Sequence, residues 1–271
     1  MEQELRRAIG CKEMEVYYQP IFDGKKKIVG HEALLRWNHP TRGMVSPGEF
    51  IPVAEESGLI RELGNWVLET ACAAARTWPA HWRIAINVSA KQFLDADYLQ
   101  TVVDILGRTD LPANRLELEI TESLLIGDTT RVLPILIALK QHGVHISLDD
   151  FGTGFSSLNY LQRFPFEKIK IDRSFIASLG QSEESEKIVR AIIALGHSLN
   201  MTVTAEGVET HSQFGTLGNL KCDQIQGFLL DRPMPKAAVD QLLEVANAAS
   251  GKSPRPFFDP GVRDLRLTNA A

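Results

Sequence analysis

In Phe166-Glu167-Lys168-Ile169-Lys170-Ile171-Asp172, charged and apolar residues alternate from Lys168 to Asp172 with the period of a β-strand. Successive side chains of a strand leave on opposite faces, so Ile169 and Ile171 share one face and Lys170 and Asp172 the other. The apolar face is expected to lie under covering helices and the charged face to point into an interior. Outward from this run, similar short β-rich stretches stand at Glu15–Phe22, Ile28–Trp37, Arg83–Val88, Leu116–Thr121, His145–Asp150, Thr202–Glu206 and Gln224–Phe228. With Lys168–Asp172 they make eight strands, most of them separated by helical patterns. Such alternation points to parallel β/α units rather than a sandwich. The first two strands are joined only by Asp23–Lys27, a hairpin-length link, so that pair should be antiparallel. The expected fold is α/β, a TIM-like (β/α)8 barrel with one antiparallel strand near the N-terminus.

The intervening stretches carry helical stripes. Ile60, Leu63, Val67, Leu68, Ala71, Cys72 and Ala75 recur at helical spacing, as do Ile188, Ala191, Ile192, Leu195 and Leu199. Val132–Leu139 and Ala237–Ala246 are further helices, the latter with Pro235 near its first turn. A length of 271 residues suits one barrel, and a hydrophobic fraction of 44% suits a sizeable core. Residues 1–250 read as the barrel. Residues 251–271, with Pro254, Pro256 and Pro260, read as an extended tail in which Phe257 and Phe258 are candidates for docking back.

The formal net charge is −5, and no Lys/Arg stripe offers a footprint for long nucleic acid. Lys25-Lys26-Lys27 follows Asp23-Gly24 and reads as a solvated hairpin turn. Cys11, Cys72 and Cys222 form neither a disulfide framework nor a zinc spacing, which suits a reducing, cytoplasmic setting. The charged N-terminus is not that of a signal peptide, and no apolar run approaches the ~18 residues of a membrane span.

The chemistry lies at the strand ends. Gln19, Glu32 with Arg36, Asn87, Glu119 with Glu122, Asp149-Asp150, Lys170, Glu206 and Gln226 all stand at or near the C-terminal end of a predicted strand. In a barrel those ends converge on one face, where active sites of this architecture lie. Any one of the carboxylates alone reads as a solvated loop residue; agreement across eight strands sets them apart. Glu32, Glu119, Asp149, Asp150 and Glu206 in one cleft cannot all stay ionised without cations between them. Oxygen ligands with one amide suit Mg2+ or Mn2+ rather than zinc. Asp149 and Asp150 can reach one site only if the strand breaks there, which Gly152 and Gly154 would permit. His31, beside Glu32, should face the other way.

At these residues the sequence resembles the EAL family of cyclic di-GMP-specific phosphodiesterases, from about Tyr17 to Pro235. Glu32-Ala33-Leu34 is the name-giving tripeptide, and it leads into Leu35-Arg36-Trp37. Around it, in order, stand Tyr17-Tyr18-Gln19-Pro20, Ile51-Pro52-Val53-Ala54-Glu55, Asn87-Val88-Ser89 and Glu119-Ile120-Thr121-Glu122-Ser123. Asp149-Asp150-Phe151-Gly152-Thr153-Gly154, Lys170-Ile171-Asp172, Ala205-Glu206-Gly207-Val208-Glu209 and Gln226-Gly227-Phe228 complete the series. The departures are mild: Phe155 and Phe228 stand where the family commonly has Tyr.

The resemblance implies two Mg2+ or Mn2+ ions. Glu32, Asn87, Glu119 and Asp149 would hold the first, and Asp149, Asp150 and Glu206 the second. It implies that Lys170 and Glu206 act on the attacking water with support from Glu32 and Gln226. Gln19, Leu35 and Arg36 would hold the substrate, and Glu122 would support the loop after Asp150. The expected reaction opens cyclic di-GMP to linear pGpG in bacterial signalling. Family grounds also imply a homodimer and attachment to a sensory or diguanylate cyclase domain. Two rival readings are a non-catalytic cyclic di-GMP receptor and, from barrel and acidic cleft alone, an enolase-type enzyme with Lys170 as base.

Overall fold

The computed structural model describes residues 1–122, 124, 129–152 and 158–250, leaving aside the side chains of 158–160 and 246–250. Helix α1 (Glu2–Gly10) leads into the long hairpin β1 (Met14–Asp23) and β2 (Ile28–His39), to which β3 (Gly43–Val45) is appended. There follow α2 (Pro47–Ser57), α3 (Ile60–Arg76), β4 (Arg83–Val88), α4 (Ala90–Phe93), α5 (Tyr98–Thr109), β5 (Leu116–Thr121), α6 (Thr129–Gln141) and β6 (His145–Phe151). The chain continues through α7 (Leu158–Arg163), β7 (Lys168–Ile171), α8 (Arg173–Ala177), α9 (Glu183–Ser198) and β8 (Thr202–Ala205). It closes with α10 (His211–Asn219), β9 (Gln224–Ile225), β10 (Met234–Pro235) and α11 (Lys236–Ser250).

The strands pair in the order β1-β9-β8-β7-β6-β5-β4-β2, and β2 returns to β1, closing an eight-stranded barrel. β1 runs antiparallel to both its neighbours, while the pairings from β2 through β4 to β9 are parallel. The short link predicted between β1 and β2 is a tight turn: the Asp23 carboxylate accepts from the Lys25 and Lys27 amides, each at 2.8 Å, and Lys26 sits at φ 60°. β10, too short to show a period, pairs with β1 at Tyr17↔Pro235.

Alternation divides each strand between two environments. In β5, Leu116, Leu118 and Ile120 join the core under the helices, and the intervening Glu117 and Glu119 are buried on the other face. In β7, Ile169 and Ile171 do the same, with Lys168 and Lys170 buried on the other face. The residues of the predicted α3 stripe, from Ile60 to Ala75, are all buried. A fully buried Leu or Ile contributes about 1.5–3 kcal/mol, so this face alone anchors the helix to the barrel. A smaller cluster of Leu5, Trp37, Phe50 and Leu63 ties α1 and α2 to the N-terminal hairpin.

Two sequence readings need correction. The α9 stripe is rotated: Val189, Ile192, Ile193 and Gly196 are buried, whereas Ile188 and Ala191 are exposed. Apolar pairs at 188–189 and 192–193 allow either face, and Gly196 settles it because a Cβ there would overlap Val203. Asp172 does not face the interior. It lies one residue past β7 and caps α8, its carboxylate accepting from the Ser174 amide at 3.0 Å. The three cysteines are free, Cys11 exposed and the other two buried. Among the described residues no helix is long and apolar enough to cross a membrane. The tail at 251–271 lies outside the described residues.

Candidate active site

The inward face of the strands brings charge together at the C-terminal end of the barrel. Lys170 is 1% exposed. Its ammonium lies 2.6 Å from Glu119 Oε2, 2.6 Å from Glu206 Oε1, 3.2 Å from Asp149 Oδ1 and 3.8 Å from Glu32 Oε2. Five strands or strand ends, β2, β5, β6, β7 and β8, thus converge on one nitrogen. Glu32 is held from two further sides. Asn87 Nδ2, from β4, donates to its Oε1 at 2.6 Å, and Gln226 Nε2, from just past β9, donates to its Oε2 at 2.6 Å. Gln226 also donates to Gln19 Oε1 at 3.2 Å, so β1 completes the ring.

Asp150 reaches the same place by a backbone device. The pairing of β6 with β7 slips between Leu148 and Phe151, Asp150 adopts φ 54°, and Gly152 follows at φ 96°. A left-handed residue inside a strand breaks the alternation that would send Asp149 and Asp150 to opposite faces. As a result carboxylate oxygens of Asp149, Asp150 and Glu206 lie within 4.8 Å of one another. The break predicted from glycine is made by Asp150 itself together with Gly152; Gly154 lies outside the described residues.

So many carboxylates around one ammonium leave a surplus of negative charge, and proton affinities record it. Burial pushes the Glu119 carboxyl well above its usual range against the pull of Lys170, and Glu32 and Asp149 push it further. Glu206 is driven up to about 8, first by burial, opposed by Lys170, then by Asp149 and Glu32. Asp150 is raised by burial and by Asp149 and Asp172. Burial disfavours the charged Lys170, but the surrounding carboxylates more than offset it and hold the ammonium charged.

The donor set fits a hard divalent cation. It is made of carboxylate and amide oxygens, and Glu119 Oε1 and Gln226 Oε1 are buried without a hydrogen-bond partner. Glu122 is also buried, and among the described residues neither of its oxygens has a hydrogen-bond partner. The loop it was expected to support falls largely in residues 153–157, outside the described residues.

Arg36 stands at the rim, its guanidinium carbon 5.6 Å from the Tyr17 ring centroid and its Nη1 donating to the Leu35 carbonyl at 2.9 Å. Leu35 is not brought into the cluster. It shares a face of β2 with Ala33 and Trp37 and packs against both hydrophobic clusters. His31 faces away from the site, as expected, between Trp78 and Trp82 with ring centroids 4.9 Å from each; burial lowers its pKa to about 3.

One feature of the interior was not foreseen. Lys168 Nζ lies 2.7 Å from Glu117 Oε1 and 2.8 Å from Glu117 Oε2, both residues buried one layer below Lys170 and Glu119. The signal was present in the sequence, since Glu117-x-Glu119 and Lys168-x-Lys170 repeat at one spacing, but both lower residues stand toward the N-terminal ends of their strands.

Comparison with known proteins agrees with this geometry. The family model described as EAL domain matches residues 2–233. An uncharacterized signaling protein of Caulobacter vibrioides is 49% identical over 242 residues, covering 88% of this chain and 30% of that protein. The bifunctional diguanylate cyclase/cyclic di-GMP phosphodiesterase MucR of Pseudomonas aeruginosa is 46% identical over 245 residues, covering 89% of this chain and 35% of MucR. The chain therefore spans about a third of the length of these curated relatives. Among solved structures, the MucR phosphodiesterase in complex with c-di-GMP superposes with a TM-score of 0.85 at 45% identity, covering 88% of this chain and 98% of that one.

Proposed function

The chain belongs to the EAL-domain family, and from that premise we propose that its barrel mouth hydrolyses one phosphodiester bond of cyclic di-GMP, releasing linear pGpG. The observation that carries the reading is the set of carboxylates from β2, β5, β6 and β8 around Lys170, with Asp150 turned in beside Asp149 and Glu206. Relatives and a solved neighbour whose names include cyclic di-GMP support the choice of substrate.

Glu32, Asn87, Glu119 and Asp149 would hold one divalent ion, and Asp149, Asp150 and Glu206 a second. The chemistry such ions supply when bound is acidification of a water and neutralisation of charge on the phosphoryl oxygens. Glu206, whose Oε1 lies 2.6 Å from the Lys170 ammonium, would accept the proton of the attacking water. Lys170 would orient the same water and donate to a phosphoryl oxygen as charge develops there. Gln226 and Asn87 fix the Glu32 carboxylate by donating to both of its oxygens. Arg36 offers a planar fork of donors to the second phosphate, and Gln19 binds beside it. Leu35 acts through its carbonyl, which holds Arg36.

In a longer cytoplasmic signalling protein this domain would lower the second messenger, working as a homodimer. The test is incubation of the purified chain with cyclic di-GMP and Mn2+, followed by chromatography. Linear pGpG is the expected product. Binding without cleavage would make the chain a nucleotide receptor instead.

A further inference from the structure

Ser89, the residue after β4, belongs to a polar network that the reaction above leaves unused. Its hydroxyl donates to Glu55 Oε1 at 2.5 Å and accepts from the Lys91 amide at 3.3 Å, capping α4. Lys91 Nζ donates in turn to the Glu55 carbonyl at 2.9 Å. Both ties meet at one residue of α2, a helix whose Phe50 and Ala54 are fully buried in the smaller hydrophobic cluster. The turn from β4 to α4 is thus moored to an element that supplies no ligand of its own. Asn87, two residues before Ser89, is exposed, and among the described residues its side chain hydrogen-bonds Glu32 alone. Its amide is therefore placed chiefly by its backbone, at the point where the strand leaves the barrel. Val88 is buried in the main core and Ser89 is extended, with φ −67° and ψ 143°. Alternation then puts Asn87 and Ser89 on the face opposite Val88, no more than about 7 Å apart along the chain.

We propose that Glu55 is a positioning residue for Asn87: through Ser89 it fixes the turn that presents the Asn87 amide to the first divalent ion. The inference rests on the phosphodiesterase reading. Groups that hydrogen-bond a metal ligand directly typically change metal affinity or activity about 10–100-fold when removed. Glu55 acts one link further away, through the backbone of residues 87–89, so its removal costs less. The second ion draws on Asp149, Asp150 and Glu206, none of which touches this network, so the effect is confined to one of the two ions. Substrate is held by other residues, and KM for cyclic di-GMP is not involved.

The experiment is an equilibrium Mn2+ titration without substrate, read by electron paramagnetic resonance, on the wild-type chain, Glu55→Ala, Glu55→Gln and Ser89→Ala. Thermal melts and steady-state hydrolysis of cyclic di-GMP accompany each. Glu55→Ala is expected to weaken one of the two Mn2+ ions about three- to tenfold, with the other ion and KM kept within about twofold, and added Mn2+ should restore kcat. Glu55→Gln keeps a carbonyl oxygen that can accept from Ser89 and should bind both ions as the wild type does. Ser89→Ala should match Glu55→Ala. Unchanged Mn2+ binding in Glu55→Ala, or equal weakening in Glu55→Gln, overturns the inference and leaves the phosphodiesterase reading intact. Equal weakening of both ions together with a lowered Tm makes Glu55 a purely structural residue and overturns it as well. A wild-type chain that neither binds Mn2+ nor cleaves the dinucleotide overturns both readings.

Discussion

Lys168–Glu117 and Lys170–Glu119 are built from the same residue types on the same two strands, two residues apart, and they become different things. In the lower pair one ammonium meets one carboxylate, and the charges balance. Burial pushes Glu117 up, but Lys168 outweighs it and holds the carboxyl below its usual range. In the upper layer the same ammonium–carboxylate contact is joined by Asp149, Glu206 and Glu32, and Glu119 is driven the opposite way. Identical chemistry is therefore structural or functional according to how many neighbours share it. The surplus of carboxylates, rather than any single one, marks the site.

That contrast can be broken at either layer. The largest effect is expected at the surplus: Asp149→Ala or Glu32→Ala should reduce turnover at least about 10³-fold, the loss of several kcal/mol of charge stabilisation. Near-normal rates would refute the ligand assignment. The balanced layer should respond in stability instead. Lys168→Met strands a buried carboxylate and should lower unfolding free energy by about 3–5 kcal/mol in denaturant titration. The double change Lys168→Met/Glu117→Leu should recover most of that loss and keep kcat within a few-fold. If the double variant is inactive though folded, the lower pair belongs to the catalytic machinery.

Lys170→Ala should cut kcat by about 10²–10⁴-fold, as for acid–base groups generally; a change in KM alone would make Lys170 a binding residue. The smallest effect is expected on the barrel exterior, where Glu167 pairs with Lys140 and His145. Burial raises its carboxyl, but Lys140 and His145 hold it below the ordinary value. A carboxylate with a depressed folded pKa adds stability above its unfolded pKa, and that stability is lost as pH falls through the folded value. Glu167→Gln should therefore reduce stability by no more than about 0.5–1 kcal/mol at neutral pH, a pair this exposed being well screened. The difference should vanish in acid.

Much of this was legible before any coordinates. Alternation in the strands and the stripe from Ile60 to Ala75 follow directly from burial, so their bounds could be read to within a residue or two. The converging residues Glu32, Asn87, Glu119, Asp149, Lys170, Glu206 and Gln226 were legible because strand ends of a barrel must meet. Other features depend on tertiary context. β9 begins at Gln224 as predicted but ends at Ile225 rather than Phe228, and β10, two residues long, is too short to carry a period. The face of α9 is decided by a glycine's fit against Val203. Leu35 adjoins Arg36 in sequence but leaves β2 on the opposite face. Lys168–Glu117 lies at the N-terminal ends of β7 and β5, away from the C-terminal ends on which the predicted site rests.

The central claim is tested most directly by counting Mn2+ ions bound at equilibrium, without substrate, by electron paramagnetic resonance. The wild-type chain and Lys168→Met/Glu117→Leu should each take up two ions, while Asp149→Asn, nearly identical in shape, should lose them. Absence of binding by the wild-type chain, or equal binding by Asp149→Asn, would contradict the account.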